Sequence, residues 1–175
     1  MRAPDLIDEL YDASYGRLVV QMLALCGNQT DAEDAVQEAF VQALRHRDRL
    51  AFVDRPEAWL RTVALNHLRN GWRHGNVARR LAVRVPGPAS VLELGPDHVA
   101  LVAALQQLDG PSREVVVLHH LADLTVDEIA HQLGLAPGTV KSRLFRSRAR
   151  LAALLDDAID DGIDDSIDRE AETRG

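Results

Sequence analysis

The segment LTVDEIAHQLGLAPGTVKSRLFRSRARL, residues 124–151, leaves its own backbone few choices. Thr125 and Glu128 stand three residues apart, the spacing of a capping box, and open a helix whose Ile129, Ala130 and Leu133 share one face. Gly134 supplies a turn, and Pro137 opens a second helix at a position where its missing N–H costs little. Two short helices joined by a tight glycine-containing turn make a helix-turn-helix. Small Ala130 and Gly134 and apolar Val140 are what a close crossing of the two helices requires.

On a helical projection of the second helix, Val140, Leu144 and Leu151 form the buried stripe, and Lys141, Ser142, Phe145, Arg146 and Ala149 lie opposite. Phe145 thus stands in the middle of a polar face, where it can meet a thymine methyl, while Lys141 and Arg146 can reach guanine edges or phosphates. Arg143, Arg148 and Arg150 flank that face and suit backbone phosphates, which position without specifying. With Thr139 at its start, this helix is the expected duplex-DNA reader.

So much positive charge is unexpected in a chain of formal charge -7. The excess acid sits at one end: residues 156–175 hold nine acids and two arginines, so residues 1–155 are neutral as a whole. The acidic end repeats as DDAI, DDGI, DDSI, DREA, which sets Ile159, Ile163 and Ile167 on one side of any helix it forms. Aspartate is a poor helix former and Gly162 a worse one. Two readings follow: a disordered solubilising tail, or an acidic segment that folds back on Lys141–Arg150 and competes with DNA.

The rest of the chain is also helical in pattern. Residues 4–27 carry Leu6, Leu10, Leu18, Met22 and Leu25 at helical spacing, and Gly27-Asn28 stops them. A second helix begins at TDAEDAVQEAFVQAL, with Thr30 and Glu33 as a capping pair and Ala35, Val36, Ala39, Phe40 and Leu44 as its apolar stripe. HRDRLAFVDRP breaks the pattern, and Pro56 opens a third helix to about His74. There Leu60, Val63, Ala64 and His67 face inward, and Arg61, Thr62, Asn66, Arg69 and Arg73 outward, within an acid-free block from Arg61 to Arg84. Pro86-Gly87-Pro88 and Gly95-Pro96 mark a linker before helical patterns resume in VALVAALQQL and SREVVVLHHLAD.

No alternating β pattern appears, so the expected fold class is all-α: two small helical domains joined by a flexible linker. The boundaries read as 1–75, linker 76–98, 99–155, and tail 156–175. Aromatics are only 4% of residues, so the core must be aliphatic. No apolar run reaches the length of a membrane span, and the acidic start, MRAPDLIDELYDASY, is unlike a secretory signal, so a cytoplasmic location with no membrane contact is expected. Cys26, the one cysteine, reads as a small buried hydrophobe.

LDGPSREVVVLHHLADLTVDEIAHQLGLAPGTVKSRLFRSRARL resembles region 4 of extracytoplasmic-function (ECF) sigma factors, group 4 of the sigma-70 family. DAEDAVQEAFVQAL resembles region 2.2, and WLRTVALNHLRNGWRH, with Trp59-Leu60, Asn66 and Arg73, resembles region 2.4. Pro56-Glu57-Ala58-Trp59 and the arginine-only blocks look most like the actinobacterial SigE-type branch. The resemblance spans nearly all of residues 6–152 and implies a sigma factor that directs promoter-specific initiation.

It implies core RNA polymerase (β′ clamp helices and β flap) and promoter DNA as partners, and any anti-sigma protein as a separate chain. Asp34, Gln37 and Glu38 would dock on polymerase. Thr139, Lys141, Ser142, Arg143, Phe145 and Arg146 would read the −35 element. Arg61, Asn66, Arg69 and Arg73 would line the melted −10 strand, with Asp48, Arg49 and Phe52 in the loop that captures a flipped base. Trp59 is either core-flanking or base-stacking, and Trp72 lies on the basic flank. Two positions depart from the family pattern: Asn70, where an acid is usual, and Ala136, where a capping serine would add about 1 kcal/mol.

The competing reading is a stand-alone helix-turn-helix regulator whose first 75 residues dimerise or sense. An enzyme is not expected: there are no paired catalytic carboxylates, no phosphate-cradling loop and no HExxH, and His119-His120 and His131 lack a matching metal-ligand set. No cofactor is expected.

Overall fold

A computed structural model describes the backbone of residues 6–73 and 96–172, and the side chains of residues 6–72 and 98–156. The described residues contain helices and turns and no strand. They fall into two compact units divided between Glu93 and Leu94. The stretch from 74 to 95, which includes most of the expected linker and Arg79, Arg80 and Arg84, lies outside the described residues.

The first unit is built from α1 (Leu6–Cys26), α2 (Gln29–Arg45), the single turn α3 (Arg47–Leu50) and α4 (Pro56–Arg73). Helix α2 packs on both α1 and α4, and α1 also touches α4. The buried side of α2 is mostly alanine (Ala32, Ala35, Ala39 and Ala43), with Val36 and Phe40 as its only large residues. Small side chains let the flanking helices approach closely, and Leu18, Met22, Leu60, Leu65 and Leu68 fill the space around them. Phe40 also meets Tyr11 edge-on at 5.1 Å, and Tyr11 stacks on Tyr15 at 4.6 Å between ring centres.

Two expectations for α2 are corrected. Helix α2 is capped by Asn28, whose Oδ1 accepts from the Asp31 N–H at 3.0 Å, and not by Thr30. Gly27, at φ 69°, ends α1 in the left-handed region, so the chain re-enters a helix at once and Asn28 reaches the capping position first. Glu33 instead accepts from Gln29 at 2.9 Å along the helix. Leu44, assigned to the apolar stripe, is 56% exposed. Leu6 at the start of α1 is exposed as well.

The second unit comprises α5 (Pro96–Gln106), α6 (Gly110–His120), α7 (Val126–Leu133) and α8 (Pro137–Glu172). Helix α8 packs against the other three. Its core gathers Leu105, Leu108, Val115, Val117, Leu118, Ile129, Val140 and Leu144. Arg113 clasps the α5–α6 turn: Nε donates to the Leu105 carbonyl at 2.9 Å and the guanidinium donates to Gln106 Oε1 at 2.6 Å and the Leu108 carbonyl at 2.9 Å. These bonds satisfy orphan carbonyls at the end of α5, and Asp109 caps α6 by accepting from the Ser112 N–H at 2.9 Å.

Helix α5 begins at Pro96, inside the segment read as linker, because proline needs no N–H partner in a first turn. At the other end the helical backbone of α8 runs to Glu172, and both readings of the acidic tail fall on residues whose side chains, beyond Asp156, lie outside the described residues. Extending a helix costs far less than starting one, which offsets the weak propensity of the aspartates. Among the described residues no helix is long and apolar enough to cross a membrane.

Candidate nucleic-acid interface

The turn between α7 and α8 sets the geometry of the basic face. The Thr125 hydroxyl accepts from the Glu128 N–H at 3.3 Å and Glu128 Oε2 accepts from the Thr125 N–H at 2.9 Å, so both halves of the capping box form. Gly134 turns the chain at φ 65°, and the Leu135 N–H returns to the Ala130 carbonyl at 2.9 Å. Nothing lies within 4 Å of a Cβ built on Gly134, so what requires glycine is the backbone angle rather than space. No side chain caps α8 from Ala136, whose carbonyl accepts from the Thr139 and Val140 N–H groups.

Val140, Leu144 and Ser147 are buried and Leu151 half-buried, which fixes the rotation of α8. Ser147 continues the inward stripe and was absent from the sequence projection. Lys141, Ser142, Phe145, Arg146, Arg148 and Arg150 are exposed, and Thr139 and Arg143 half-buried. Phe145 is 78% exposed on a polar helix face, a large apolar surface that nothing in its own unit covers. Arg146 Nε donates to the Ser142 carbonyl at 3.3 Å, which lays its stem along the helix.

Arg143, Arg146 and Arg150 line a cleft of about 450 Å³ together with Gln107, Leu108, Asp109, Ser112 and Ser147. The Asp109 carboxyl is held below the usual range, chiefly by the Ser112 hydroxyl and N–H and to a lesser degree by Arg143. Desolvation by burial lowers His120 below the ordinary histidine range, with smaller contributions from the neighbouring His119 and Arg148. The cleft therefore presents three guanidinium groups against one carboxylate already committed to capping.

In the first unit the basic face of α4 is smaller than the projection suggests. Asn66 is exposed and Arg69 half-buried, and the side chain of Arg73 lies outside the described residues. Arg61 is corrected: it is only 6% exposed, donates from Nε to Gln21 Oε1 at 3.0 Å, and lies 3.8 Å from Glu57. Its partner stands on α1, where no projection of α4 alone could find it. Arg61→Met is expected to destabilise this unit by about 1–3 kcal/mol, because it removes a charged hydrogen bond from a buried amide. The check is a denaturation midpoint for the first unit, and any single-strand binding by this unit should fall only as far as folding does.

The segment between α2 and α4 carries an exposed Asp48, an exposed Arg49 and a Phe52 that is 89% exposed. Leu50, 2% exposed, anchors that turn to the core. Beside it His46, Arg49, Leu50, Val53 and Trp59 line a mostly apolar pocket of about 230 Å³. Trp59 forms one wall, half-buried, and Trp72 at the far end of α4 is 45% exposed. His46, Val53 and Trp59 were not singled out as pocket residues in the sequence, because only the α3 turn brings them together.

On α2, Asp34 and Gln37 are exposed and Glu38 half-buried, with Glu38 accepting from Gln42 at 2.7 Å. Tyr15 is raised above the ordinary tyrosine range by burial, against a hydrogen bond with Gln37 that opposes the shift. The structure adds Val41 (38% exposed), three residues beyond Glu38, and Leu44, three beyond Val41, to this face. The trio is thus an acidic patch with an apolar extension. Among the described residues no group of three or more His, Cys, Asp or Glu is placed to hold a metal ion.

Two family descriptions match the chain: Sigma-70 region 2 over residues 10–78, and Sigma-70 region 4 over residues 98–151. The RNA polymerase sigma factor CnrH of Cupriavidus metallidurans is 34% identical over 144 residues, covering 73% of this chain and 75% of that one. The RNA polymerase sigma-E factor of Streptomyces avermitilis is 34% identical over 135 residues, covering 75% of each. Among solved structures, the sigma factor RpoE of Bartonella quintana, determined in complex with the anti-sigma factor NepR, is similar at a TM-score of 0.64 and 26% identity, over 85% of this chain and 95% of that one.

Proposed function

The chain belongs to the ECF branch of the sigma-70 family and directs promoter-specific initiation by RNA polymerase, and from that premise we propose which of its surfaces perform each step. The exposed face of α8, with Lys141, Ser142, Phe145 and Arg146, reads the −35 element, while Thr139 and the half-buried Arg143 hold neighbouring phosphates. The observation that carries this is Phe145, a large apolar side chain left 78% exposed among cations beside a formed helix-turn-helix.

In the first unit, Asn66, Arg69 and Arg73 follow the melted −10 strand, and Asp48, Arg49 and Phe52 border the apolar pocket walled by Trp59, which takes an unstacked base. Arg61 acts from within, positioning α4 against α1. Asp34, Gln37 and Glu38 dock on polymerase, with Val41 and Leu44 extending the contact. A neutral body with a few cations per unit binds duplex weakly by itself, and a carrier that holds both units near their elements replaces affinity with effective concentration.

As boundaries we propose a polymerase-binding and −10 region in residues 1–75 and a −35 region from Pro96 to about residue 155. We place the chain in the actinobacterial SigE-type branch on its arginine-only basic blocks, with the Streptomyces relative in support. Its regulator is a separate anti-sigma protein, in keeping with the Bartonella complex.

Arg146→Ala tests the −35 assignment. It should cost about 1–3 kcal/mol at one or two base pairs of the element and little elsewhere, measured by binding of single-base-pair variants of the promoter to the holoenzyme. An equal loss on every sequence would make Arg146 a phosphate contact and remove it from the base-reading set.

A further inference from the structure

The cleft of about 450 Å³ between the α5–α6 turn and α8 has a charge balance that the fold itself does not neutralise. Arg143, Arg146 and Arg150 line it at intervals of three and four residues, which sets them on one side of the helix over roughly 10 Å. Among the described residues none of these three guanidinium groups forms an ion pair, and like charges at such spacings repel one another. Arg143 and Arg150 project roughly 140–160° round the helix from Phe145, so the cleft opens on the flank of the base-reading face and not onto it.

The opposite wall is polar and held in place. It is the turn that Arg113 clasps through the carbonyls of Leu105, Gln106 and Leu108, so the exposed Gln107 is carried on a fixed backbone. Ser147, only 3% exposed, adds a hydroxyl to the lining. Asp109 is the one acid in the cleft, and its carboxylate already accepts from the Ser112 N–H. Three guanidinium groups against that carboxylate leave two positive charges on a concave surface rich in donors. Guanidinium forks match phosphate oxygens in geometry as well as in charge.

We propose that this cleft is a phosphate-binding socket, in which Arg143, Arg146 and Arg150 hold the oxygens and the Gln107 amide and Ser147 hydroxyl serve as further donors. Two sources can supply the phosphate. One is a free polyphosphate or nucleotide, whose bulk a cleft of this volume admits. The other is a backbone phosphate of the bound duplex beside the −35 base pairs. The socket stands on the geometry of the cleft, and only its use on a duplex rests on the proposed −35 reading.

Inorganic triphosphate is the probe, titrated calorimetrically into the full chain in low salt. A saturable site is expected, weakened by added salt. Arg143→Gln combined with Arg150→Gln should weaken it about tenfold or more, whereas Arg148→Gln, on the other side of α8, should change it by less than about twofold. Absence of saturable binding overturns the proposal. So does a comparable loss from Arg148→Gln, because the attraction would then belong to a basic helix as a whole and not to the cleft. Repeating the titration with a −35 duplex at saturating concentration separates the two sources. Exclusion of triphosphate identifies the socket as the seat of a backbone phosphate, and undiminished binding identifies a free ligand as its occupant. The first titration contains no DNA, so a failure of the −35 reading leaves its result untouched.

Discussion

Ile129→Ala is expected to unfold the second unit and leave the first intact. Ile129 is fully buried where α7 meets the core of that unit. Truncating a buried isoleucine to alanine costs about 2–5 kcal/mol through lost transfer energy and the cavity left behind. A unit of this size has little reserve, since small domains sit at the low end of the 5–15 kcal/mol typical of folded proteins. The result should appear as loss or a strong downward shift of one thermal transition while the other keeps its midpoint. Holoenzyme formation through the first unit should persist, and discrimination at −35 should vanish. A variant that melts like the natural chain would mean that the α7–α8 core is not what holds the reading helix in place.

The second large effect concerns polymerase. Asp34→Lys combined with Glu38→Lys should abolish association with core enzyme while the fold survives. Asp34 is exposed, and Glu38 gives up only its bond to Gln42, an i,i+4 contact worth a few tenths of a kcal/mol. On the proposed docking of this face against a basic partner surface, placing two cations there costs several kcal/mol in the complex. Circular dichroism should stay unchanged as co-purification with polymerase is lost. Retained association would move the docking surface elsewhere on the first unit.

Local chemistry was legible in the sequence, and chemistry between distant segments was not. The Thr125/Glu128 box, the Gly134 turn and the opening of α8 at Pro137 each depend on residues a few positions apart, so spacing alone located them. Phe145 was found on the outward face because Val140 and Leu144 fix the rotation of its helix. Arg61 was misplaced because its partner Gln21 is 40 residues away on another helix, and a long side chain on a polar arc can still turn inward. Thr30 and Asn28 competed for one cap, and the sharp left-handed exit at Gly27 decided between them. The Arg113 clasp and the pocket at Trp59 carry no motif, since each is assembled by a turn. Leu44 followed the apolar count along α2 but faces outward with Gln37 and Val41, while its neighbour Ala43 is the residue turned into the core.

The alanines of α2 have a further implication. A helix with so thin an inner side sits as near to its neighbours as backbone permits, so an added methyl group has nowhere to go except into displacement of the whole rod. The outer side of that same rod carries Asp34, Gln37, Val41 and Leu44. If this face is the docking surface proposed above, volume changes deep in the bundle would surface as altered grip on polymerase, and a screen for weakened holoenzyme assembly would return interior positions alongside those on the outer side.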